Sequence, residues 1–123
     1  MKDIIGKNKI REDRILNEII VDCYGHVEQA MGWYYYLGDN LDFPFNAKCI
    51  FKRQTSPLKT GEVVKVTGMA AEDECKHEML VKVRWQKSSL AVPLIQLEGI
   101  KVRNKTREAI EDWHYWVKRG YEL

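Results

Sequence analysis

The hydrophobic pattern changes period twice along this chain, and that change limits the fold more than any motif does. Before Phe43 the apolar residues recur at helical spacing. From there to about residue 102 they alternate, and after residue 106 helical spacing returns. A helix buries one apolar stripe, whereas a half-buried strand needs every second residue apolar. The chain is therefore expected to be α+β, with helices at both ends and short strands between them.

In the first part, Ile15, Leu16, Ile19, Ile20 and Cys23 fit one face of a helix over 11–23, with Gly25 as the residue that ends it. A second helix is expected over 26–37. Val27, Ala30, Met31, Trp33, Tyr34, Leu37 and Leu41 fall in one broad sector, and Tyr35, Tyr36, Glu28 and Asp39 point the other way. Two short helices with a Gly-containing link read as a helical hairpin. The middle part reads as strands near 47–53, 61–70, 78–86, 88–95 and 99–102, with a turn of 3₁₀ helix at 96–99. Val64 and Val66 share one face of the second strand, and Met79, Val81, Val83 and Trp85 share one face of the third. Pro93 has no N–H to donate, which confines the fourth strand to an edge or a bulge. Five such strands, with a break before the last, suggest a small SH3-like five-stranded antiparallel barrel. The last helix is expected over 106–119. Thr106 is its N-cap, Ala109, Ile110, Trp113, Trp116 and Val117 form its stripe, and Gly120 ends it. The 123 residues then suit a single domain, with 1–10 flexible, 11–41 helical, 43–102 the barrel and 106–119 the closing helix.

Hydrophobic residues at 45% beside charged residues at 31% are the balance of an ordered globular protein. Cys23, Cys49 and Cys75 are odd in number and widely spaced, so reduced thiols in a cytoplasm fit better than a disulfide framework. The start, "MKDIIGKNKIRED", lacks the apolar core of a signal peptide. No apolar run approaches the roughly 18 residues that cross a bilayer, so no membrane partner is expected. A net charge of +2 is too small to argue for nucleic acid. A nucleic-acid-binding barrel remains an alternative because Lys52, Arg53, Lys82 and Arg84 fall on expected strands.

Four aromatic residues stand in a row at Trp33–Tyr36. On a helix, neighbours in sequence do not face the same way, so the run is not one stacking platform. Trp33 and Tyr34 can share the core face, while Tyr35 and Tyr36 need a second surface, within the fold or at an interface. Carboxylates concentrate at Asp39, Asp42 and the stretch "EDECKHE", which holds Glu72, Asp73, Glu74 and Glu78. Carboxylates and free carbonyls are what a hard cation such as calcium takes, although the spacing is not that of an EF-hand and a solvated acidic loop explains it as well. Cys23, His26, Cys75 and His77 could be zinc donors only if two distant regions met. No nucleophile elbow, phosphate loop or His-Glu-x-x-His occurs, and His114 borders an apolar stripe, so an enzyme is not expected.

"IIVDCYG", "AMGWYYYL", "FPFNAKCI", "TSPLKTGEVVKVTGMA", "EDECKHEMLVKVRW", "LAVPLIQLEGI" and "EAIEDWHYWVKRGYEL", in that order, resemble the small bacterial calcium-binding proteins of the CcbP-like family, over roughly Ile15 to Leu123. The resemblance implies a non-EF-hand calcium-binding protein, a buffer or sensor. It implies calcium ligands at Asp39 and Asp42 after the aromatic helix and at Glu72, Asp73 and Glu74 in the barrel loop. Gly38 stands where the family pattern implies a further acid, and the sequence pI is 8.4 where calcium-binding members are acidic. Fewer carboxylates imply a weakened affinity. The alternative is a protein-interaction or homo-oligomerising module without metal, with Tyr35, Tyr36 and one of Trp113 or Trp116 at the interface. The sequence names no protein partner.

Overall fold

The computed structural model describes residues 7–121 and 123; the first six of the residues expected to be flexible, 1–10, lie outside the described residues. Eight main elements follow in order. They are α1 (Lys9–Arg14), α2 (His26–Asn40), β1 (Phe45–Cys49), β2 (Val63–Met69), β3 (Leu80–Trp85), β4 (Ser88–Pro93), β5 (Leu97–Ile100) and α3 (Asn104–Lys118). Short 3₁₀ turns at Glu72–Cys75 and Leu94–Gln96 join β2 to β3 and β4 to β5.

The sheet has the order β4–β3–β2–β1–β5 and is antiparallel throughout. That order, with a 3₁₀ turn before the last strand, is the SH3-like arrangement read from the alternation. Pro93 closes the edge strand β4. Val64 and Val66, like Val81 and Val83, face the core as their spacing requires. Two boundaries shift. The 3₁₀ turn lies at Leu94–Gln96 and not at 96–99, so β5 begins at Leu97. The first strand is Phe45–Cys49 and not 47–53, because after Cys49 the chain leaves the β1–β2 ladder, with Ile50 donating to the Gln96 carbonyl at 2.7 Å.

The first helix differs most from expectation. Asn8 caps it, its side chain accepting from the Arg11 N–H at 3.1 Å. After Arg14 it loosens into a π turn, Ile15–Ile19, and it ends there, short of residue 23. The wider turn keeps Ile15 and Ile19 inward but turns Leu16 out, leaving it 56% exposed. The turn ends where it crosses α2. A Cβ at Gly32 would lie 2.6 Å from the Ile19 carbonyl oxygen, so the two backbones pack in near contact and only glycine fits between them. Gly25 does not end the first helix. Its backbone is extended (φ −138°, ψ 172°), and it is the residue from which α2 starts.

In α2 the buried residues are Ala30, Trp33 and Leu37, while Val27, expected on the core face, is 64% exposed beyond the crossing. Trp33 meets Trp113 at 5.1 Å and Trp116 at 5.7 Å between ring centroids, so the aromatic cluster welds α2 to α3. Thr106 is not the N-cap of α3, which starts two residues earlier. Its buried hydroxyl accepts from the Asp42 N–H at 3.0 Å and donates to the Asn40 carbonyl at 3.3 Å, tying the end of α2 to α3.

On the apolar stripe of α3 sits one carboxylate, Asp112, with 0% of its surface exposed. Arg11 Nη1 reaches Oδ1 at 2.6 Å, and Arg14 reaches Oδ1 at 2.7 Å and Oδ2 at 2.8 Å. Tyr36 Oη donates to Oδ2 at 3.3 Å. The Arg14 guanidinium is held firmly in its charged form, chiefly by the hydrogen bond to Asp112. Removing one member of a buried pair strands the other in low dielectric, but both arginines keep some access to water. The Asp112→Ala variant is therefore expected to lose about 3 kcal/mol, the lower end of such losses, as a fall in the urea midpoint at unchanged slope.

Candidate metal centre

The aromatic run spreads around α2 in steps of 100°, and each residue meets a different part of the molecule. Trp33 is in the core. Tyr34 Oη donates to the Ala70 carbonyl at 2.7 Å, at the end of β2. Tyr35 Oη donates to Glu72 Oε1 at 2.7 Å, on the turn beyond it. Tyr36 Oη turns to Asp112, and burial, then the Asp112 charge, pushes its phenol up to about 12. Of the two tyrosines set aside for a second surface, Tyr35 is 55% exposed and Tyr36 is half-buried inside the chain.

The acids follow from these placements. Glu72, Asp73 and Glu74 are exposed on the 3₁₀ turn, which is rooted by the buried Cys75, whose Sγ lies 3.4 Å from the Leu80 nitrogen. Asp39 is exposed on the last turn of α2, one helical turn beyond Tyr35 on the same flank. The carbonyls of Tyr36, Leu37 and Asn40 are taken by Asn40 Nδ2, the Leu41 N–H and Thr106 Oγ1. A Cβ at Gly38 would lie 4.0 Å from Met69 Cγ, ordinary contact, so a side chain has room there. Asp42 stands apart, its backbone on Thr106 and its carboxylate 3.9 Å from Arg103. Glu78 is consumed by Arg53, which forks onto both its oxygens at 2.6 and 3.1 Å.

Among the described residues, no lysine or arginine pairs with Asp39, Glu72, Asp73 or Glu74. Exposed, unpaired carboxylates are hard oxygen donors, so this flank of the molecule fits calcium in its chemistry. It is not a finished cage, since no three His, Cys, Asp or Glu side chains converge on one point among the described residues. The same holds for the zinc donors considered above. Burial also pushes the Cys23 and Cys75 thiols up, away from the thiolate that zinc requires. Lys82 and Arg84 are exposed on β3 and Lys52 on the loop after β1, whereas Arg53 is spent on Glu78. No helix among the described residues is long and apolar enough to cross a membrane.

The signal for the carboxylates was their residue type and loop position. The Tyr35–Glu72 bond had none, because it joins residues far apart in sequence. Asp112 did leave a sign, an acid on an apolar stripe, which demands partners.

A family model described as calcium binding, Calci_bind_CcbP, matches residues 13–117. Two solved structures are similar over almost the whole chain. One, described as the crystal structure of Anabaena CcbP, is 42% identical and covers 97% of this chain and 98% of its own, with a TM-score of 0.87. Another, described as a calcium binding protein in the calcium-binding form, is 42% identical and covers 95% of this chain and 96% of its own, with a TM-score of 0.85. No curated protein matches.

Away from this flank, His114 on α3 has its Nε2 3.1 Å from the Leu94 carbonyl, so Nε2 carries the proton and the ring is a satisfied core-edge group. Burial lowers its pKa from the ordinary 6.5, and Lys118 adds to the effect, against the opposing pull of that carbonyl, Glu111 and Glu98. The folded state thus prefers the neutral ring. Its contribution to stability is whole above pH 6.5, the ordinary value, and is lost as pH falls below it, since the unfolded chain takes up a proton that the folded chain resists. The melting temperature should therefore fall less between pH 7 and pH 5 in His114→Gln than in the wild type, by calorimetric scanning.

Proposed function

The chain belongs to the CcbP calcium-binding family, and on that premise we propose that it binds calcium weakly on the exposed flank of α2, as a buffer or sensor and not as an enzyme. The observation that carries this reading is a group of exposed acids, Asp39, Glu72, Asp73 and Glu74, that have no basic partner among the described residues, whereas Asp112, Glu78 and Asp42 face arginines. Asp39 would supply one carboxylate from the helix end, and the 72–74 turn would supply the others. Asp42, facing Arg103, would contribute least. Calcium when bound would supply charge and a hub for oxygen ligands. The protein side would neutralise it, orient the carboxylates and leave the remaining positions to water.

The affinity follows from ligand count and rigidity. Gly38 contributes no carboxylate, and the acids do not converge before binding. A dissociation constant on the order of 10⁻⁴ to 10⁻³ M is expected, the range of weak calcium modules. A non-enzyme is supported by His114, which is committed to Leu94, and by cysteines whose burial disfavours the thiolate.

A second reading, self-association, is supported by exposed apolar residues around the turn between the first two helices. Leu16, Val21, Tyr24 and Val27 are all at least half exposed. Light scattering at high concentration should then report a species larger than a monomer, and a monomer throughout would remove this reading.

Calorimetry in metal-free buffer tests the calcium reading. Wild type should bind in the stated range, Asp39→Asn and Glu72→Gln should each bind about tenfold more weakly, and Gly38→Asp should bind more tightly. Absence of any heat up to several millimolar calcium would sink it.

A further inference from the structure

We infer that Tyr35 is a positioning residue for the calcium ion, holding Glu72 ready to coordinate it. This rests on the calcium reading above. The Tyr35 hydroxyl donates to Glu72 Oε1 at 2.7 Å, yet both residues are exposed. A bond between two groups that water could serve equally well adds little to folding. Its effect is on the carboxylate. A free glutamate on a surface turn samples many rotamers, and an ion that binds it must stop that motion. Tyr35 stops it beforehand. Its own side chain has only two torsions and springs from a helix of fifteen residues.

The neighbouring tyrosine makes the arrangement stiffer. Tyr34 packs edge-on against Tyr35, with ring centroids 5.6 Å apart and planes at 83°. Its hydroxyl holds the Ala70 carbonyl at 2.7 Å, two residues before Glu72. Consecutive residues of one helix thus fix the backbone entering the acidic turn and the first carboxylate on it. The bond occupies one lone pair of Oε1 and leaves Oε2 open. Asp39 lies on the same flank, one helical turn further on. Ligating carboxylates are commonly oriented by such outer hydrogen bonds, and losing one typically costs 10- to 100-fold in metal affinity.

The experiment uses the whole chain and calcium alone, followed through the amide NMR shifts of residues 72–74, which can report weak binding. Four proteins are compared: wild type, Tyr35→Phe, Glu72→Gln and the double variant. Tyr35→Phe should raise the dissociation constant about tenfold at an unchanged melting temperature. In the Glu72→Gln background the same change should have no further effect, because the hydroxyl acts only through that carboxylate. Calcium should also perturb the tyrosine absorbance of the wild type, and that perturbation should vanish in Tyr35→Phe. A wild type silent to calcium overturns the calcium reading, and this role with it. A wild type that binds while Tyr35→Phe binds equally well or better overturns the positioning role alone. So does an equal loss from Tyr35→Phe in both backgrounds.

Discussion

Both oxygens of Asp112 are taken by guanidinium groups that come from the other end of the chain. Nearby, Glu12 of α1 accepts from Tyr115 at 2.6 Å and from Tyr121 at 3.2 Å. Each end of the chain thus offers the other an acid and the donors for it. The six residues of α1 bury nothing by themselves, and a helix that short does not persist alone in water. It exists because these charged bonds fasten it to α3, which leaves Ile15 and Ile19 in position to enter the core. The helical layer over the barrel is held by this polar fastening as well as by the tryptophan cluster beneath it.

The barrel was legible because its signal is local. Alternation at Val64 and Val66 or at Val81 and Val83 places residues on a face wherever the strand ends, and the missing N–H of Pro93 marks an edge without knowledge of its neighbours. The ends of helices are a different matter. The first helix stops where it meets Gly32, and Thr106 serves the end of α2 in place of its own helix. Those outcomes are decided by contacts between distant residues, which neither propensity nor spacing records.

The same division runs through the candidate site. Residue type marked Asp39 and the 72–74 turn, and the family resemblance is what implied calcium for them. What residue type could not tell was which acids are already engaged. Glu78 and Asp42 look the same in sequence as Glu72 and Asp39, and only the fold brings arginines to the first two. A basic chain can therefore carry a locally acidic flank: with 20 lysines and arginines against 18 acids, pI describes the sum and not the place.

Tyr35 and Tyr36 are adjacent on one rigid rod. One hydroxyl reaches the acidic turn and the next reaches the Asp112 assembly. Helix α2 thus meets the acidic turn and the Asp112 assembly through consecutive residues. The row of aromatics joins a wet surface to a dry one, through the 100° that separates one helical residue from the next.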